Sequence, residues 1–328
     1  MKLASLRNAS QDGAFVVVST DLSQAVSAAK VAPSLLAALE TWSDAEPALE
    51  VLSEDLNAGT ASDSFPLEGR TFESPLPRSF QFLDGSVYLY HAELLRQARG
   101  ETLPPNFLVD PMMYQGLSDN FLGPCDDILA GDEAWGIDFE AEVGVVVDDV
   151  AMGVTPAEAA EHIKLVMLVN DVSLRNLIPG ELAKGFGFVH GKPRSIFSPV
   201  AVSPSALGNA WDGAKLHGAV IVDHNETRFG QPDAGQDMYF DFPALIAHAA
   251  KTRPLSAGTI IGSGTVSNRN PAAGSCCLAE RRTIETIADG APKTPFMAFG
   301  DRVRIEMLDE NGATIFGAID QHVCQSPH

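Results

Sequence analysis

The pattern of apolar and polar positions changes character near residue 76. Before it, Lys2 to Arg7 and Phe15 to Ser19 flank a turn at Gln11-Asp12-Gly13, and their apolar, branched residues predict two strands. Ser34 to Trp42, behind Pro33, and Pro47 to Leu56 carry apolar residues at helical spacing and predict two helices. Asn57 to Ser64 is small and polar, and Pro66, Pro75 and Pro77 extend it as irregular chain. Beyond that point strands dominate, over Ala141 to Val147, Lys164 to Val169, Leu216 to Val222, Thr259 to Ile261 and Arg302 to Met307. Helices are predicted over Ala157 to Ile163 and Phe242 to Thr252. No regular βαβ alternation appears, so the pattern predicts an α+β chain, mainly β, with helices packed outside the sheets. It divides into a small N-terminal unit over 1–76 and a larger one over 77–328.

One predicted strand carries chemistry. In Ile137 to Val147, Glu140 and Glu142 stand two residues apart, which puts both carboxylates on one strand face. If that face is buried, the pair needs a cation, and a hard divalent ion such as Mg²⁺ or Ca²⁺ takes oxygen ligands. A third carboxylate, Asp171, stands in Asn170-Asp171 at the end of the apolar run Leu165 to Val169. It either pairs with Arg175, four residues on, or ligates the same ion and leaves Arg175 for a substrate oxygen. Asp84-Gly85 is a common turn pair, and His91 taken alone reads as a structural histidine. Lys192 between Gly and Pro reads as a loop charge, and Glu280 has Arg281 and Arg282 beside it. Gly262-Ser263-Gly264-Thr265 follows an apolar strand and suits a tight substrate-contacting turn better than a phosphate loop.

Charge narrows the partners. A net charge of -21, from 22 basic and 43 acidic side chains, repels nucleic acid and anionic membranes, and no Lys/Arg cluster offsets it. Cys125, Cys276, Cys277 and Cys324 show no CxxC or Cys/His spacing, which argues against a zinc site or a disulfide framework. The N-terminus lacks an apolar signal core and no apolar run is long enough to span a bilayer, so a cytoplasmic location is expected.

Taken together, these segments resemble the fumarylacetoacetate hydrolase family. The carriers are Asp84 and His91, Pro111-Met112-Met113-Tyr114-Gln115-Gly116, Glu140-Ala141-Glu142, Asn170-Asp171-Val172-Ser173-Leu174-Arg175, Gly191-Lys192 before Ser198-Pro199, and Gly262-Ser263-Gly264-Thr265, in the family's order. The resemblance implies a mixed β-sheet roll with flanking helices behind a small N-terminal domain, and a homodimer. It implies a divalent metal, Mg²⁺ or Ca²⁺ with Mn²⁺ also accepted, on Asp84, Glu140, Glu142 and Asp171. It implies that His91 is the base for an attacking water, oriented by Glu280, and that Arg175 and Lys192 (or Lys184 in its place) stabilise negative charge on oxygen. Tyr114 and Thr265 would contact substrate, a small diketo acid.

Fumarylacetoacetate, an intermediate of tyrosine breakdown, is the expected substrate, because the N-terminal unit resembles that of bacterial fumarylacetoacetases. Acylpyruvate or fumarylpyruvate hydrolysis, oxaloacetate decarboxylation and diene-dioate isomerisation are alternatives on the same site. A non-catalytic metal-binding protein is the alternative of another class. Ile178 stands where the animal-type pattern has glutamine, and Ser86 where it has tyrosine; both positions bear on substrate choice.

Overall fold

Four strands open the chain, β1 (Lys2–Leu6), β2 (Ala14–Val18), β3 (Gln24–Ser27) and β4 (Phe65–Pro66). The computed structural model describes residues 1–98 and 100–327. β1 and β2 form the predicted hairpin, with Leu3 opposite Val17, and its turn needs Gly13, whose φ is +67°. Ser34 caps helix α1 (Leu35–Leu39), its hydroxyl accepting from the Ala37 amide. Helix α2 (Trp42–Ala58) begins ahead of the predicted Pro47 and runs through it. Burial of Trp42, Ala45, Leu49 and Leu56 on one side outweighs the backbone bond that proline forfeits.

The next strands are β5 (Phe82–Gly85), β6 (Met113–Gly116), β7 (Ile128–Ala130), β8 (Ile137–Asp138), β9 (Ala141–Val147), β10 (Ile163–Asn170), β11 (Ser173–Leu174), β12 (Ile196–Phe197) and β13 (Ala201–Val202). The last are β14 (Val220–His224), β15 (Thr227–Gly230), β16 (Ile260–Gly262), β17 (Arg302–Met307) and β18 (Ile319–Gln325). The main sheet runs β4-β3-β2-β1-β13-β10-β9-β16-β5-β6, with β12 also on β10. β1 pairs with β13, so the N-terminal strands continue the sheet of the larger unit. A second sheet runs β15-β14-β17-β18-β7, and β8 pairs with β11 apart from both. Most pairs are antiparallel, but β16 and β5 are parallel, as are β18 and β7. The sheets are therefore mixed.

Both faces of β9 and β10 are buried. Val143, Val145, Val166 and Leu168 face the second sheet's Val222, Val303 and Ile305. Val146, Leu165, Met167 and Val169 belong to a second core with Leu3, Phe15 and the α1–α2 residues. That explains why the middle of β10, residues 165–169, reads as an unbroken apolar run. The remaining helices are α3 (Leu89–Gln97), α4 (Pro156–Ala159), α5 (Ile178–Leu182), α6 (Phe242–Ala249) and α7 (Leu278–Asp289).

Three expectations need correction. Ile137 to Val147 is not one strand: it breaks at Phe139-Glu140, where β8 leaves to pair with β11. The strand expected from Leu216 starts only at Val220, because Leu216 bridges Trp211 and Gly218 takes φ +128°. The helix expected over 157–163 shrinks to α4 plus a 3₁₀ turn at 160–162, since Ile163 is drawn into β10. Among the described residues no helix is long and apolar enough to cross a membrane.

Leu49 is fully buried on α2. Leu49→Ala should lower stability by about 2–5 kcal/mol, read as a lower urea midpoint with unchanged Mn²⁺ affinity. An unchanged midpoint would mean that α2 contributes little to the shared core.

Candidate active site

Register across β5, β16 and β9 builds the site. Gly262 of β16 lies opposite Asp84 of β5 on one side and Gly144 of β9 on the other. A Cβ at Gly262 would stand 2.3 Å from Asp84 Oδ1. Glu142 comes from β9, and Asp171 follows the end of β10. One carboxylate oxygen from each of Asp84, Glu142 and Asp171 lies within 4.8 Å of the other two. All three residues are buried.

Their hydrogen bonds are unequal. Asp84 Oδ1 accepts from the Gly264 amide at 3.0 Å. Asp171 accepts from Ser195 Oγ at 2.7 Å, from Tyr114 OH at 2.6 Å and from Lys192 Nζ at 2.5 Å. Both oxygens of Glu142 are buried, with no hydrogen-bond partner among the described residues. An orphaned carboxylate beside two others is costly as an anion. Burial, aided by Asp171, pushes Asp84 up from 3.8 to about 8. Burial, aided by Asp84 and Asp171, pushes Glu142 well above its ordinary range. A divalent cation on these three groups would supply both the missing charge and the missing partner for Glu142. An all-oxygen donor set fits Mg²⁺, Ca²⁺ or Mn²⁺.

Glu140 stands apart from this triad. The break before β9 turns its carboxylate to Arg175 Nη2 at 2.7 Å, Thr265 Oγ1 at 2.7 Å, Ser173 Oγ at 3.0 Å and Lys192 Nζ. Burial opposes its ionisation, but Arg175 and Lys192 outweigh burial and hold it far below the carboxylate range. Lys192 thus bridges Glu140 and Asp171, whereas Lys184 is exposed beyond α5. Arg175 does not pair with Asp171. Its Nε donates to Asp138 Oδ2 at 2.7 Å.

The sequence pattern alone assigns Asp138 no role. It is fully buried, and it also accepts from the Leu278 and Ala279 amides at 2.7 and 3.0 Å. It thereby caps the start of α7 and ties it to Arg175. The only sequence signal was its place two residues before Glu140, on the same alternation. Two residues into α7, Glu280 Oε2 lies 2.8 Å from Nδ1 of His91 on α3. Tyr114 lies opposite Asp84 across β6 and β5 and packs edge-on against Phe188 at 5.1 Å. A cavity of about 610 Å³ opens over Asp84, lined among others by Ser86, Phe107, Met112, Tyr114 and Phe188. Ile178 begins α5 and packs against Gly191, beside Lys192.

A family model described as fumarylacetoacetate (FAA) hydrolase C-terminal matches residues 82–324, and one described as fumarylacetoacetase N-terminal domain 2 matches residues 1–78. A 2,4-didehydro-3-deoxy-L-rhamnonate hydrolase of Sphingomonas sp. (strain SKA58) is 28% identical over 48% of this chain and 53% of its own. A mitochondrial oxaloacetate tautomerase of Xenopus laevis is 25% identical over 48% of this chain and 47% of its own. The match therefore spans about half the length of such relatives. A fumarylacetoacetate hydrolase from Exiguobacterium antarcticum shares the fold with a TM-score of 0.68 at 17% identity, over 99% of this chain and 100% of that one. A maleylpyruvate hydrolase from Sphingobium sp. SYK-6, solved with manganese(II) and pyruvate, gives 0.66 at 16% identity over the same shares.

Two measurements test the triad. Gly262→Ala should weaken Mn²⁺ binding about 10-fold or more by displacing Asp84; wild-type affinity in calorimetry would contradict this. The second is the pH dependence of stability. Between about pH 4 and 8 the folded metal-free chain keeps a proton on Asp84 that the unfolded chain has released, so stability falls as pH rises through that window. Mg²⁺ should therefore raise the melting midpoint more at pH 8 than at pH 5, and equal shifts would contradict the assignment.

Proposed function

We propose that this chain, which belongs to the fumarylacetoacetate hydrolase family, hydrolyses a carbon–carbon bond in a β-dicarbonyl acid with the help of a divalent metal, fumarylacetoacetate being the first substrate to test. The observation that carries this is the buried Asp84–Glu142–Asp171 triad with the His91–Glu280 pair beside the same cluster of acidic groups. A divalent ion on the triad would supply Lewis-acid polarisation of the dicarbonyl oxygens.

The chain's own residues do the rest. Glu280 fixes the ring of His91 through Nδ1, which leaves Nε2 to take a proton from water. Water then attacks the carbonyl carbon, the adjacent C–C bond breaks, and the electron pair goes to an enolate. Lys192, between Glu140 and Asp171, is the cation placed to hold that enolate oxygen, and a good fixed donor lowers such a barrier by roughly 3–4 kcal/mol. Arg175 sits behind it, holding Glu140 ionised. Tyr114 is half-buried, and desolvation of its hydroxyl keeps the phenol protonated, so it donates to Asp171 throughout. Isomerisation and decarboxylation need no activated water, so the His91–Glu280 pair favours hydrolysis over them.

One observation favours a second reading within the same chemistry. Among the described residues lining the cavity there is no lysine or arginine, and Asp110 is one of the two acids there. Among those lining residues a distal fumaryl carboxylate would meet no cation except His248, which already lies 3.6 Å from Asp110, whereas an acylpyruvate with an uncharged acyl group would rest on Phe107, Met112 and Phe188. Near the cavity mouth Leu108, Val109, Leu182, Phe186 and Val189 expose apolar side chains, a surface that a second copy of the chain would cover in the expected homodimer.

Purified protein with Mg²⁺ should hydrolyse fumarylacetoacetate or an acylpyruvate. EDTA should abolish this, and Mg²⁺ or Ca²⁺ should restore it. His91→Ala should bind Mn²⁺ normally and lose at least ~10²-fold in kcat. Wild-type turnover in His91→Ala would remove the base. Full turnover in verified metal-free protein would remove the metal.

A further inference from the structure

Cys277 has no part in the hydrolysis proposed above, yet it lies against that machinery. An antiparallel bridge pairs it with Glu140. Its Sγ, a carboxylate oxygen of Glu140 and a ring nitrogen of His91 all lie within 4.8 Å of one another, and all three residues are buried. His91 comes from α3, Glu140 precedes β9 and Cys277 precedes α7, so no local sequence spacing announces the cluster.

Its donor chemistry differs from that of the triad. The triad offers three oxygens, whereas this cluster offers nitrogen, sulfur and oxygen. Imidazole and thiolate suit Zn²⁺ and Co²⁺, while Mg²⁺ and Ca²⁺ prefer oxygen. Glu280 on His91 Nδ1 is the kind of carboxylate partner that metal-bound histidines carry, and it leaves the Nε2 lone pair for an ion. Glu140 already accepts from Arg175, Lys192, Thr265 and Ser173, so it is the weak ligand and the His91–Cys277 pair sets the selectivity.

We propose that His91, Glu140 and Cys277 form a second site, for a thiophilic divalent cation such as Zn²⁺, adjoining the hard-ion triad, and that filling it stops turnover by taking the lone pair of His91. On binding, the Sγ–H bond of Cys277 breaks, its proton passes to solvent and an Sγ–metal bond forms, with no change of oxidation state. The inhibitory half rests on the role of His91 proposed above, and the binding half does not.

The test is a Co²⁺ titration of the full-length protein saturated with Mg²⁺, followed by thiolate-to-cobalt charge-transfer absorption, which an all-oxygen site cannot give. Wild type should develop the band and saturate it. Cys277→Ser, whose hydroxyl preserves the N-cap of α7, should abolish it. His91→Ala should weaken Co²⁺ binding about 10-fold or more. In parallel, the Zn²⁺ concentration for half-inhibition should rise at least ~10-fold in Cys277→Ser. No band in wild type, or a band that survives in Cys277→Ser, overturns the site. A normal band from a chain that hydrolyses nothing upholds the site and overturns the catalytic role of His91.

Discussion

Three carboxylates buried within 4.8 Å of one another are the constraint on which the rest of this structure turns. Among the described residues neither oxygen of Glu142 has a hydrogen-bond partner. An apolar side chain there would cost nothing of the kind, so the cluster is a standing electrostatic debt that the fold maintains. Its geometry comes from regular structure rather than from loops. Asp84 and Glu142 project from neighbouring regions of one sheet, and Gly262 leaves the room that the Asp84 carboxylate occupies. Strands buried on both faces hold that register against slippage, because a shift by one residue would move every apolar side chain to the wrong core.

Around this centre the charges are sorted. Glu140 is only two residues from Glu142, yet it takes the opposite role. It is ionised and bound by Arg175 and Lys192, while Asp84 and Glu142 are driven toward the protonated form. The same neighbourhood therefore holds a permanently charged layer and a layer poised to exchange protons for a cation. Asp138 joins the charged layer to the start of α7. Through α7 it reaches Glu280 and then His91. Residues on β8, β11, α3 and α7 are thus aligned by one connected set of buried polar contacts, each with a partner, which is the condition under which such networks add rigidity.

Much of this was legible in the sequence. β9 and β17 fall where alternation and branched residues put them, and β10 nearly so, because long apolar strands leave a strong signal. The two helices that matter most, α3 and α7, leave no helical signal in the apolar pattern. α7 reads Leu278-Ala279-Glu280-Arg281-Arg282, a polar surface helix whose few apolar positions give little periodicity. His91 and Glu280 were named from family resemblance, and periodicity alone would have left both as surface or structural residues. The break at Phe139-Glu140 was invisible because every residue around it suits a strand. Only the competing pairing of β8 with β11 shows why Glu140 leaves the line. Asp138 was hidden for the same reason, as its role depends on Arg175 and α7, both far away in sequence.

The most direct test is diffraction from crystals grown with Mn²⁺, using its anomalous signal to locate the ion. The account predicts a single strong peak at coordination distance from carboxylate oxygens of Asp84, Glu142 and Asp171, with Lys192 still on Glu140. A peak elsewhere, or no peak at saturating Mn²⁺ with the three carboxylates unmoved, would contradict it.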